Sequence, residues 1–212
     1  MELIQEIIRV RSRCCLVTES GRRYWLRTDD LQDADYSPGT EVKLEDLEHF
    51  VLLHQYPRAL SEAVAMLARR PCSRGEIEQK LNSRHYSGQT VEMVLYKLQR
   101  EKLLNDADFS AQWVRYRAGQ RYGSRRILQE LRHKGVSEED AREALEQLSD
   151  EEVLEQAAAA AEKGFRRLKP GESLWDRRQK VLQSLVRRGY DWDTAKAACE
   201  EAVRRMDEEG KE

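Results

Sequence analysis

A unit that occurs three times constrains this chain more than any other feature. Residues 121–144, RYGSRRILQELRHKGVSEEDAREA, read as two short helices with a tight joint. Ile127, Leu128 and Leu131 form one apolar face at helical spacing. Ser124 is placed to cap the first helix, and Gly135 to end it in the left-handed conformation. Ser137 with Glu138, Glu139 and Asp140 opens the next helix, putting carboxylates at the positive end of its dipole. Moved back by 50 residues, the unit lays Ile127 on Ile77, Leu131 on Leu81, Val136 on Tyr86, Ala141 on Val91 and Leu145 on Leu95. Moved forward by 54, it lays Ile127 on Val181, Leu131 on Leu185, Gly135 on Gly189, Val136 on Tyr190, Ala141 on Ala195 and Ala144 on Ala198. No gap is needed inside the unit. Such a period predicts a mainly α fold, a tandem array of three three-helix repeats.

The repeats are expected over 58–105, 106–149 and 150–212, after a β-rich N-terminal extension and lead-in helix over 1–57. In the extension, the runs Leu3–Val10, Cys14–Thr18 and Tyr24–Thr28 have strand composition, with a turn at Gly21. A short strand is expected at Glu41–Leu44, and a helix from Glu45 to Tyr56 that Pro57 ends. In the first repeat, Leu60–Arg70 forms helix one, Ser73–Glu76 is a capping box for helix two, and Ser87 or Gln89–Thr90 starts helix three. In the second, Phe109, Trp113 and Tyr116 make an aromatic stripe read as core. In the third, Ala157–Ala161 lets another helix come close, Lys169–Ser173 is a loop, Asp191 or Asp193 caps the last helix, and the tail after Met206 frays.

The chemistry of catalysis is not legible in this chain. Its four histidines are scattered, its four cysteines form no Cys-x-x-Cys pair, and it has neither a phosphate loop nor a dinucleotide fingerprint. No catalytic, cofactor-binding or metal-ligating residue is expected, and the chain is not expected to be an enzyme. Nor does any apolar run reach membrane-spanning length, and the N-terminus does not read as a signal peptide, so a reduced cytoplasmic protein is expected. Charge is unevenly placed: net -4 over 1–57, +8 over 58–136 and -6 over 137–212. A basic middle points to an anionic partner. Candidate partner-binding residues are Arg115, Arg117, Arg121, Arg125, Arg126, Arg132 and Lys134, with Arg69, Arg70 and Arg74 continuing the stripe. Arginine suits such a role because its planar fork matches carboxylate and phosphate.

Several separate motifs resemble the RecX family. They are Leu67-Ala68-Arg69-Arg70 with Ser73-x-x-Glu76-Ile77 and Lys80-Leu81; Leu103-Leu104-Asn105-Asp106-x-x-Phe109-x-x-x-Trp113; Gly123-x-x-Arg126-Ile127-x-x-Glu130-Leu131-x-x-Lys134-Gly135-Val136; and Arg187-Arg188-Gly189-Tyr190. The resemblance implies a modulator of RecA in recombination, DNA repair and the SOS response. Such a protein lies along the groove of the RecA–DNA filament, limiting its growth, ATPase, strand exchange and co-protease activity. It implies a monomer whose partner is the RecA filament, meeting DNA weakly or through the filament. A free DNA-binding helical module and a scaffold for another assembly are the alternatives. Against the DNA-binding module stand the carboxylates of Ser137–Asp140, which would meet phosphates at the start of a recognition helix.

Overall fold

The computed structural model describes residues 1–168 and 173–209. The expected loop over Lys169–Ser173 lies, except for Ser173, outside the described residues, as does the end of the tail. Two compact units divide the chain, Met1–Asn105 and Asp106–Glu212.

The first unit opens with four strands, β1 (Glu2–Val10), β2 (Arg13–Thr18), β3 (Arg23–Arg27) and β4 (Glu41–Val42). They form one sheet of order β3-β2-β1-β4, with its described pairings antiparallel. A 3-10 turn over Thr28–Asp33, not anticipated from the sequence, follows β3. Alternation along the strands puts Cys14, Leu16, Tyr24 and Leu26 on one face, where they bury against Leu47 and Val51 of α1 (Leu44–Leu67).

Helix α1 overturns one expectation. Pro57 lies inside it rather than ending it. A mid-helix proline costs about 3 kcal/mol, because it removes a donor and crowds the carbonyl four residues back. That carbonyl belongs to Leu53, a residue on the solvent-facing side of the helix, 59% exposed. Burial on both sides outweighs the cost: Leu47 and Val51 are anchored under the sheet, Ala59 and Ala63 in the first helical core. Buried Gln55 ties the two halves together. Its Nε2 donates to the carbonyl of Trp25 at 2.6 Å, and its Oε1 accepts from Ser87 N–H at 2.7 Å and the Thr90 hydroxyl at 3.0 Å. Arg58 grips Asp30 with both arms of its fork. Burial raises the Asp30 pKa, but Arg58, the Arg27 N–H and His54 together hold it below the ordinary value.

The C-terminal half of α1 packs with α2 (Arg74–Ser83) and α3 (Gly88–Arg100) around Ile77, Leu81, Val94, Leu95 and Leu98. Ser73 and Glu76 form the anticipated capping box, and Ser87 caps α3. In the second unit, α4 (Asp106–Gly119), α5 (Ser124–His133) and α6 (Glu138–Glu146) enclose Phe109, Val114, Ile127, Leu131 and Ala141. The aromatic stripe of α4 is only partly core: Phe109 is buried, Trp113 half-buried and Tyr116 57% exposed. Next, α7 (Asp150–Arg167), α8 (Leu174–Arg187) and α9 (Trp192–Glu209) close on Phe165, Leu185 and Tyr190. Ala157, Ala158 and Ala161 meet Ala195, Ala198 and Ala202 there, the close approach that small side chains permit. Asp191 caps α9, accepting from Thr194 N–H at 2.9 Å and the Thr194 hydroxyl at 2.7 Å. The fold is therefore mainly helical, three three-helix bundles after a small sheet.

Candidate functional site

The candidate site is built where the second bundle meets the third, inside the Asp106–Glu212 unit. Helix α5 starts at Gly123, and no side chain caps it. Ser124 is therefore not the cap the sequence suggested; it is the first helical residue. Main chain from the α8–α9 turn takes over the capping task. Gly123 N–H donates to the carbonyl of Arg188 at 3.0 Å, and Arg125 N–H donates to that of Gly189 at 3.1 Å. A carbonyl at a helix N-terminus satisfies the same orphan donors that a serine hydroxyl would. Such an approach needs bare backbone. A Cβ on Gly123 would overlap Gly189 and the backbone nitrogen of Tyr190, and one on Gly189 would come within 2.5 Å of Arg126.

Tyr122 sits beside this contact under three guanidinium groups, with Arg117, Arg126 and Arg188 at 4.0, 4.8 and 5.6 Å from its ring centre. Arg117 is held from the other side by Glu130, its Nε donating to Oε2 at 2.6 Å. Burial raises the Glu130 carboxyl, but Arg117 and then Arg126 bring it below its ordinary value. Arg117 is thereby a packed structural cation, with 14% of its side chain exposed.

Past Tyr122 the surface opens into a groove of about 690 Å³ between the α4–α5 joint and helices α7 and α8. Its floor is small or apolar: Gly119, Ala160, Gly164 and Val181. Its lining also carries Arg121, Lys163, Arg167, Lys180, Arg187 and Arg188, with no carboxylate among the described lining residues. Arg121 holds a left-handed backbone (φ 64°), unusual for a residue with a Cβ. The Arg188 Nη1 donates to its carbonyl at 3.3 Å.

Only Arg121 of the expected stripe lines this groove. Arg115 lines a separate cleft in the same unit, beside Glu151, Glu152, Glu155 and Arg205. Arg125 is exposed in the first turn of α5. Arg126 bonds to Glu130 at 3.3 Å, and Arg132 pairs with Glu138 at 3.0 Å. The Lys134 ammonium lies 4.2 Å from the Trp113 ring centre. In the first unit, Arg70 pairs with Glu76 at 3.1 Å, Arg74 with Glu92 at 3.0 Å, and Arg69 is exposed. Five groove cations, Lys163, Arg167, Lys180, Arg187 and Arg188, were missed by sequence reasoning because their segment is acidic in sum. The signal was present in α8, whose span with Arg188 holds five basic residues against Asp176 alone. Among the described residues, no cluster of His, Cys, Asp and Glu is placed to hold a metal ion. No described helix is long and apolar enough to cross a membrane.

Family models for the first, second and third three-helix domains of RecX match residues 59–98, 105–145 and 150–199. The chain is 34% identical over 147 residues to the regulatory protein RecX of Prosthecochloris aestuarii, covering 69% of this chain and 94% of that one. The chain belongs to the RecX family. It is likewise 35% identical to the regulatory protein RecX of Corynebacterium efficiens, covering 66% of this chain and 71% of the relative. Among solved structures, a crystal structure of regulatory protein RecX aligns over 92% of this chain and 97% of its own, with TM-score 0.63 and 26% identity. The RecX structure from Lactobacillus salivarius aligns over 70% of this chain and 96% of its own, with TM-score 0.65 and 25% identity. The chain is thus a member of a family of regulatory proteins, built of the domains that define it.

Proposed function

We propose that this RecX-family chain regulates RecA by lying along the RecA–DNA filament and limiting its extension, and with it the filament's ATPase, strand-exchange and co-protease activities. The match to all three RecX domains in order carries this reading. Three linked modules, over 58–105, 106–149 and 150–212, suit a repetitive target, since linked contacts raise affinity through effective concentration. The exposed cations Arg69 and Arg125, with Arg121 of the groove, are the partner-facing members of the expected stripe. The protein acts as a monomer in the cytoplasm, by occupying a surface rather than by catalysis. The alternative as a sequence-reading DNA module is disfavoured by Glu138, Glu139 and Asp140 in the first turn of α6.

The test is the DNA-dependent ATPase of RecA filaments, titrated with the chain at fixed salt. Wild-type chain is expected to depress it at sub-stoichiometric ratios to RecA. The R69E/R121E/R125E variant, verified as folded, is expected to need at least tenfold more protein. An ATPase that wild type leaves untouched at stoichiometric excess would refute the regulator reading.

A further inference from the structure

We infer that the groove between the α4–α5 joint and α7–α8 is a binding site for a short run of phosphate groups. Six cations line one concavity of about 690 Å³, and none of the described lining residues is acidic. Like charges gathered on a concave wall repel one another, and the wall concentrates their field, so the site favours a dense anion. Glu162 on α7 reaches Arg205 at 3.5 Å; on α8 the Asp176 carboxylate accepts from the Ser173 hydroxyl, and the Asp176 N–H donates to Ser173 Oγ, which caps the helix.

The shape and the donor set select phosphate over other anions. Four of the six cations are arginines, whose forked N–H donors match a tetrahedral oxyanion, and Ser184 adds a hydroxyl to the lining. An extended acidic peptide sends successive carboxylates to opposite sides, so only half its charge could enter. A phosphate run carries charge on every side. The floor of Gly119, Ala160 and Gly164 leaves room for close approach. A stacked base has no platform, because Tyr122, the aromatic residue in the lining, is already covered by Arg117, Arg126 and Arg188. The site therefore reads charge and not base identity. Arg121, in the lining, holds a left-handed backbone that few residues with a Cβ adopt.

Such a run can come from a free condensed phosphate or from the backbone of a nucleic-acid strand. The experiment uses the full chain alone, without RecA, so its outcome is independent of the regulator reading. Inorganic tripolyphosphate is titrated by calorimetry, with orthophosphate as the single-phosphate reference, and a labelled oligothymidylate is titrated by anisotropy. The variant K163Q/R167Q/R187Q removes three exposed groove charges; R9Q/R23Q/K196Q removes three exposed charges elsewhere. Thermal melts establish that both are folded. Wild type is expected to bind tripolyphosphate, the oligonucleotide or both, at least tenfold tighter than orthophosphate. The groove variant is expected to lose at least tenfold and the control variant less than twofold. Binding of tripolyphosphate without the oligonucleotide identifies a free condensed phosphate as the source, and the reverse identifies the strand. Binding of neither by wild type, or equal weakening by both variants, would overturn the site.

Discussion

The turn after the second helix of the first bundle and its counterpart in the third bundle are the same device put to different uses. Arg84-His85-Tyr86 and Arg188-Gly189-Tyr190 occupy equivalent places in the repeat. Both middle residues are left-handed, with φ of 64° and 96°. Both turns close the same way, Tyr86 N–H on the carbonyl of Leu81 and Tyr190 N–H on that of Leu185. The carbonyl before each left-handed residue then points outward and accepts from a neighbour. In the first bundle the donor is a side chain, Arg13 of β2, at 2.7 Å, and the His85 ring stacks on Trp25 at 5.2 Å. In the third the donor is main chain, Gly123 N–H. The sheet docks through side chains and leaves room for a ring. A helix N-terminus docks through backbone and tolerates none. The residue at the left-handed position follows from what the turn must touch.

That contrast is broken hardest at Gly189. G189A puts a Cβ into a left-handed residue and against Arg126, with no flexible side-chain end to give way. The expected loss is about 3 kcal/mol or more, read as a lowered urea midpoint of the full chain. A midpoint shifted by less than a third of that would mean the α5–α8 contact is not backbone-tight.

On the side-chain-docked side, the large effect lies at Gln55. Q55L leaves the Trp25 carbonyl, the Ser87 N–H and the Thr90 hydroxyl without their buried partner. About 2–3 kcal/mol of destabilisation is expected. Because α1 runs unbroken through Pro57, sheet and first bundle should still melt together; separate transitions in the variant would contradict that coupling.

A smaller loss, about 2 kcal/mol, is expected for R117A, which strips Glu130 of its main partner and uncovers Tyr122. Its pH dependence sharpens the assignment. Glu130 titrates below its ordinary value in the folded chain. Its contribution is therefore complete above the unfolded value, about pH 4.3, and disappears as pH falls through the lower folded one. The stability gap between wild type and E130Q should be constant near pH 7 and should narrow progressively as pH falls below about 4.3. A gap that does not narrow at all on acidification would assign the effect to packing rather than charge.

Much of the fold was legible because it rests on apolar spacing, which survives any docking arrangement: Ile77, Ile127 and Val181 are all buried as their register required. Local rules failed where a distant segment competed. Pro57 reads as a stop until both flanks of α1 are seen to be anchored. Ser124 reads as a cap until the Gly189 carbonyl arrives from 64 residues away. Tyr116 reads as core because spacing alone cannot tell a stripe's edge from its centre. At the candidate site the failure was one of summation. Net charge over 137–212 is negative, yet the carboxylates open α7 while cations crowd α8 and the end of α7. Folding sorts charges by face, and a linear count cannot.

The smallest effect is the most diagnostic of the opening contrast. H85G supplies the residue that the third bundle uses at this place. It relieves a left-handed backbone, a gain of about 1 kcal/mol, and forfeits the stack on Trp25, a loss of about 1 kcal/mol. The two should nearly cancel, leaving the thermal midpoint within about 2 °C of wild type. H85A keeps the Cβ and so the strain, and loses the ring; it should be less stable than H85G. R13A tested in each background separates the two links: if the sheet grips the turn mainly through the Arg84 carbonyl, its cost is the same in H85G as in wild type. A markedly larger cost in H85G would mean that ring stack and hydrogen bond hold the turn jointly, and that the histidine is itself part of the dock.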